Sequence, residues 1–262
     1  MSDTYLIDEQ EISNVLKLSN ARVVKNTTIQ TPETLGQNSL FHIALAKRTR
    51  LYPSVSSRSA PTEDNTLPRI HVSPDLIGCI RGYATIAKMA SQNAPVKIKK
   101  ETTISSPGPS IYKGGFYIHQ IPFRCCLKPN YELVFDEDYT QEYWLITYNS
   151  QTLYYPTVII GQMFPNFVTY YPQTGSIPSE VTNFCLRIDK GSTISLSNIT
   201  RYDYIKGKEL EKKLLSGFYS FDFTEIAKGN KTLIHGISNV KEIDEKTYTE
   251  NKLRAAAMLN FE

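Results

Sequence analysis

The chain has 262 residues, 29 Lys and Arg against 26 Asp and Glu, a formal net charge of +3 and a hydrophobic share of 40%. That is enough apolar material for a real core, which excludes a wholly disordered chain. No apolar run approaches the roughly 18–20 residues of a membrane helix, and the acidic start at residues 1–10 has no apolar signal segment.

The first element in chain order is a short helix over the first 20 residues. Asp8 and Glu11 have capping-box spacing, and Ile12, Val15 and Leu16 form an apolar stripe. A second helix is expected from Ser39 to about Arg50. Residues 52–72, with Pro53, Pro61, Pro68 and an acidic Glu63-Asp64 pair, read as a long loop. A third helix is expected from Ser73 as N-cap, through Pro74 and Asp75, to about Asn93. Asn93–Ser110 is a polar connector carrying the Lys97, Lys99, Lys100 patch.

From Gly114 the pattern changes to short β-branched and aromatic runs at Phe116–Ile121, Tyr131–Phe135, Tyr143–Tyr148, Leu153–Ile160, Asn166–Tyr171, Asn183–Asp189 and Thr193–Asn198. The last two alternate cleanly around Lys190-Gly191, which predicts a hairpin. No proline follows Pro178. Helix is expected at Lys206–Ser216, where Leu210, Leu214 and Phe218 form a row, then strands at Phe218–Phe223 and Thr232–Ile237, and a last helix at Thr249–Asn260.

The expected fold is α+β: a mostly antiparallel sheet over about 114–198, covered by helices from the N- and C-terminal parts. The expected organisation is a helical, loop-rich region at 1–110 and an α+β domain at 111–262, which together can form one continuous domain.

Four cysteines, Cys79, Cys125, Cys126 and Cys185, do not make a disulfide scaffold, and two are adjacent. With no signal segment, the sequence implies reduced thiols and a cytoplasmic location. Short catalytic signatures are missing: there is no P-loop, dinucleotide-binding glycine pattern, H-E-x-x-H, C-x-x-C or nucleophile elbow. His119, Cys125 and Cys126 are the densest reactive cluster. They have the types for a thiolate–imidazole pair; the plainer reading makes the cysteines small buried packing residues and has His119, out of phase with Phe116 and Ile118, face solvent. Adding Cys185 would give a zinc ligand set, but adjacent cysteines suit zinc poorly. No metal or cofactor is expected.

Two distributions point to binding. Residues 40–125 hold twelve basic and four acidic residues, a net of +8 that leaves −5 for the rest of the chain. Residues 131–171 hold twelve aromatics, eight of them Tyr. Tyr is favoured at interfaces, so Tyr139, Tyr143, Trp144, Tyr154, Tyr155, Tyr170 and Tyr171, with Lys97, Lys99 and Lys100, are the candidate interface residues. Stacking on nucleic acid needs cations and rings on one surface. Here they lie in different stretches, which argues against a nucleic-acid partner.

The sequence therefore favours a non-enzymatic protein-interaction subunit, an adaptor or scaffold bound to other protein subunits in a larger assembly such as a bacterial secretion system. The alternatives are a cysteine/histidine-dependent enzyme or secreted effector, and a nucleic-acid-binding or capsid-type protein.

Overall fold

The structure is a computed structural model that describes residues 6–55, 64–82, 96–98, 115–134, 141–148, 153–173, 176–198, 210–228 and 232–258. It is a mixed α+β protein with mostly antiparallel sheets and few helices. The chain divides into two compact units, each built from non-contiguous segments. One comprises Met1–Ile43, Lys47–Gly82 and His119–Ile159. The other comprises Ala44–Ala46, Tyr83–Ile118 and Ile160–Glu262. Among the described residues, no helix is long and apolar enough to cross a membrane.

In the first unit, α1 (Glu9–Lys17) starts as its sequence dictates. Asp8 Oδ1 accepts from the Glu11 N–H at 2.9 Å, and Glu11 Oε2 accepts from the Asp8 N–H at 2.9 Å. Ile12 and Val15 then turn inward. The short α2 (Ala21–Lys25) leads into β1 (Thr27–Gln30), followed by α3 (Pro32–Leu35) and β2 (Ser39–Ala44). Next come the two-residue β3 (Arg50–Leu51), β4 (Arg69–Val72) and α4 (Leu76–Gly82). β5 (Val96–Ile98) and the start of β6 (Phe116–Pro122) belong to the second unit, and the first is completed by β7 (Cys126–Pro129), β8 (Tyr143–Ile146) and β9 (Tyr155–Pro156).

A four-stranded sheet runs β1-β7-β8-β4, antiparallel throughout. All four residues of β8 are buried, as four consecutive apolar positions require when both sheet faces are covered. Trp144 sits fully inside this core with Ile12, Leu40, Cys126 and Leu127.

The second unit is built on long strands: β10 (Val158–Gln173), β11 (Ser176–Ile188), β12 (Ile194–Asn198), β13 (Leu210–Leu214), β14 (Gly217–Lys228) and β15 (Thr232–Ile243). β10, β11, β14 and β15 pair antiparallel in that order, and β5 adds parallel to β10. The two backbones come so close at Gly161 that a side-chain carbon there would collide with the Arg187 carbonyl. A polar ladder, Asn166–Asn183–Asp222–Asn239, crosses all four strands. Asn183 donates to Asp222 Oδ1 at 2.8 Å, and Asn239 donates to Oδ2 at 2.8 Å. It lies at two of the three register shifts in these pairings, Pro165/Phe167 and Ser220/Asp222, where backbone pairing is interrupted. The last helix, α5 (Glu245–Met258), buries Tyr248 and Ala255 with Phe164 and Cys185. α1 and α5 thus each serve a different core, rather than sharing the cover of one sheet.

Several expected elements differ. Ser39–Arg50 holds β2 and β3, not a helix: β2 buries the adjacent Leu40 and Phe41 as well as Ile43, and Phe41 exchanges backbone hydrogen bonds with Ser73. Ser73 is therefore occupied, and the cap of α4 is Asp75, whose Oδ1 accepts from the Gly78 N–H at 2.8 Å. Tyr131–Leu133 is a turn, organised by Asn130, whose carbonyl accepts from Leu133 and whose side chain accepts from Glu132. Gly191 does turn the chain, at φ +82°, but β12 pairs with β13 instead of returning along β11. Leu210–Leu214 is a strand. A spacing of four is even, so Leu210 and Leu214 share a face in a strand as well as in a helix. The expected helix beyond Gly82 falls outside the described residues.

Candidate functional site

The two units differ in what they place side by side, and the first gathers most of the chemistry. The chain has 4 histidines, and three of them meet here. β4 lies against β8 with His71 opposite Trp144. That register sets His71 Nδ1 2.6 Å from Glu142 Oε1, and the Trp144 indole N–H donates to the same oxygen. Burial alone would raise the Glu142 pKa, but the His71 and Trp144 hydrogen bonds outweigh it and hold the carboxyl below its ordinary range. Because the carboxylate only accepts, His71 Nδ1 carries the proton and Nε2 is left as the ring's acceptor when the ring is neutral. The His71 side chain is 38% exposed.

One strand away, His42 Nδ1 lies 2.8 Å from the His71 carbonyl, so that nitrogen carries its proton. Burial pushes the His42 pKa down to about 4, with the His71 carbonyl opposing and the His119 and Arg48 charges assisting. His42 is therefore neutral at pH 7. Its ring lies 6.2 Å from that of His119, whose Nε2 accepts from the Arg48 N–H at 3.2 Å.

Beyond Trp144 the network ends in a buried ion pair. Arg69 sits over the indole at 4.2 Å and bonds Asp64 at 2.9 Å, with both side chains inside. Asp64 also accepts from Thr66 and from the Leu67 N–H, so its oxygens are fully used. This fixes the chain from Asp64 into β4, so the expected loop at 52–72 ends in a strand at Arg69–Val72. Among the described residues, no three His, Cys, Asp or Glu side chains converge as a metal site.

The cysteine–histidine reading finds poor support in this geometry. Cys125 and Cys126 are buried free thiols, and burial raises both pKa values, which disfavours a thiolate. His119 is fully buried and held by the Arg48 backbone. Of the candidate interface residues, Trp144, Tyr143 and Tyr155 belong to the core, not the surface. Tyr155 spends its hydroxyl on the Ile146 carbonyl at 2.6 Å. Tyr154 is half-buried, 5.8 Å from Tyr52. Tyr139, Lys99 and Lys100 fall outside the described residues, as do the side chains of Tyr170, Tyr171 and Lys97.

The surface feature that the sequence did not reveal is a cleft of about 350 Å³ in the first unit. It lies between the end of α1 (Leu18, Asn20), the Leu67-Pro68 stretch and the end of β8 (Thr147, Tyr148), and no charged side chain lines it. Leu18 is 91% exposed and Tyr148 63% exposed. Leu18 closes α1 as its C-cap: its N–H donates to the Val15 carbonyl, the next N–H, of Ser19, donates to the Leu16 carbonyl, and the Leu18 side chain is left in solvent.

No known protein family, curated protein or solved structure matches this chain. The residues and their geometry must therefore carry the functional reading alone.

Proposed function

We propose that the chain is a non-enzymatic protein-interaction subunit that docks an apolar segment of a partner protein in the cleft between α1, Leu67-Pro68 and Tyr148. The observation that carries this is Leu18. Leu18, 91% exposed, and Tyr148, 63% exposed, border the same uncharged cleft, so two large side chains share one patch instead of standing singly on the surface. Tyr148 adds a large ring at low entropic cost, the usual character of an interface anchor. The uncharged lining disfavours phosphate and carboxylate ligands, so the occupant is an apolar side chain flanked by neutral groups. An adaptor or scaffold in a larger assembly has this need, and four buried free thiols suit a reducing cytoplasm.

The test is affinity purification of the tagged full-length chain from its native cell, scored for a stoichiometric protein partner. Leu18→Asp is expected to lose that partner. Leu253→Asp, at a position 64% exposed on α5, is expected to keep it. Retention of the partner by Leu18→Asp, or a monomer with no partner, would contradict the reading.

A further inference from the structure

The separation of cations from rings along the sequence is undone by the fold. The β3–β9 ribbon pairs Arg50 with Pro156 and Leu51 with Tyr155. This sets the Arg50 guanidinium over the Tyr154 ring at 4.5 Å, with the Tyr52 ring 5.8 Å from that of Tyr154. Tyr52 is 45% exposed, and Lys47, Arg48 and Arg50 are all exposed. Arg48 and Arg50 make no ion pair among the described residues. No acidic residue occurs anywhere in 44–55 or 143–161. The backbone that carries these cations is fixed. Thr157 donates its N–H to the Thr49 carbonyl at 3.0 Å and its hydroxyl to the Arg48 carbonyl at 2.7 Å, while His119 holds the Arg48 N–H. Arg48 and Arg50, without an ion pair among the described residues, beside the exposed Tyr52 ring on this hydrogen-bonded ribbon are the two parts a base-and-phosphate ligand needs.

We propose that this ribbon binds single-stranded nucleic acid, with Tyr52 stacking a base and Lys47, Arg48 and Arg50 meeting the phosphates. An acidic peptide would use the cations and leave the rings idle, so the rings decide the class. The proposal is independent of the Leu18 cleft.

The test is fluorescence anisotropy of the full-length chain with labelled twelve-nucleotide oligothymidine and oligouridine. Binding at 50 mM salt is expected, falling roughly 20-fold by 200 mM, as about 0.7 counterions released per contacted phosphate gives for three cations. Tyr52→Ala should weaken it about five-fold or more while Tyr52→Phe preserves it, since stacking uses the ring and not the hydroxyl. Arg48→Gln with Arg50→Gln should flatten the salt dependence. The far-ultraviolet circular dichroism of each variant checks that the fold is intact. No binding at 50 mM salt, equal competition by poly-glutamate, or a Tyr52→Ala variant that is folded and binds normally would each overturn the proposal.

Discussion

The first unit buries ions and imidazoles in its interior, whereas the second keeps its polar ladder partly in solvent. Asp64, Arg69 and His119 are inside the first unit, joined through Trp144, Glu142, His71 and His42. In the second unit, Asn166, Asn183 and Asp222 are half-buried and Asn239 is exposed. The difference teaches where specificity is built. A buried charge is tolerated only when every partner is in place, so the first unit's segments are forced into one arrangement. Long antiparallel strands fix the second through backbone pairing, and its side-chain ladder only reinforces the positions where that pairing slips.

The largest effects should therefore come from the buried network. Trp144→Ala removes a fully buried ring, the indole beneath Arg69 and a donor to Glu142. A loss of about 3–5 kcal/mol is expected in urea denaturation followed by circular dichroism. Asp64→Ala should cost a similar amount, about 3–5 kcal/mol, by leaving the Arg69 guanidinium buried without its carboxylate. A loss below about 1 kcal/mol in either would break the contrast.

In the second unit, Asp222→Ala removes the acceptor for both Asn183 and Asn239. About 1–2 kcal/mol is expected, because solvent can reach the amides left behind. Tyr248→Phe should be neutral or slightly stabilising. The Tyr248 hydroxyl is buried with no hydrogen-bond partner among the described residues, and burial pushes its pKa up to about 12.

Acid sharpens the same comparison. The folded first unit holds His42 near pKa 4 against an ordinary 6.5, so the unfolded chain takes up a proton between these values and the folded one does not. Stability should fall as pH drops from about 6.5 towards 4. Glu142, held below its ordinary range, adds a further loss only as pH falls through its lowered pKa. His42→Gln, which keeps a donor for the His71 carbonyl, should flatten the first of these steps. The single Trp144 reports the unit by its fluorescence, and an unchanged slope in the variant would remove His42 from the account.

How much of this was legible in the sequence depended on whether the signal was local. The Asp8–Glu11 box and the strand runs at Tyr143–Tyr148 and Phe218–Phe223 are local patterns, and the start of α1, β8 and β14 fall on them. Leu210 and Leu214 show where a local pattern fails, because a spacing of four satisfies a strand as well as a helix. Ser39–Arg50 failed for a different reason: a partner from outside the window, Ser73, claims Phe41 for a bridge. The sites were less legible still. His71 and Glu142 are 71 residues apart, and Arg50 reaches Tyr154 only through the β3–β9 pairing. Tyrosine density pointed to a surface, yet Tyr143 and Tyr155 went to the core because β8 and β9 are covered. Leu18 carried no signal, since an apolar residue at a helix end reads as one more core position.

The central claim is that the cleft beside Leu18 is occupied by a partner protein, and photocrosslinking tests it most directly. A photoreactive phenylalanine analogue placed at Tyr148 in the full-length chain, expressed in its native cell, should crosslink to one protein that also co-purifies stoichiometrically. Adding Leu18→Asp should abolish that crosslink, while Leu253→Asp leaves it intact. A crosslink indifferent to Leu18→Asp, or none at all from Tyr148, would contradict the account.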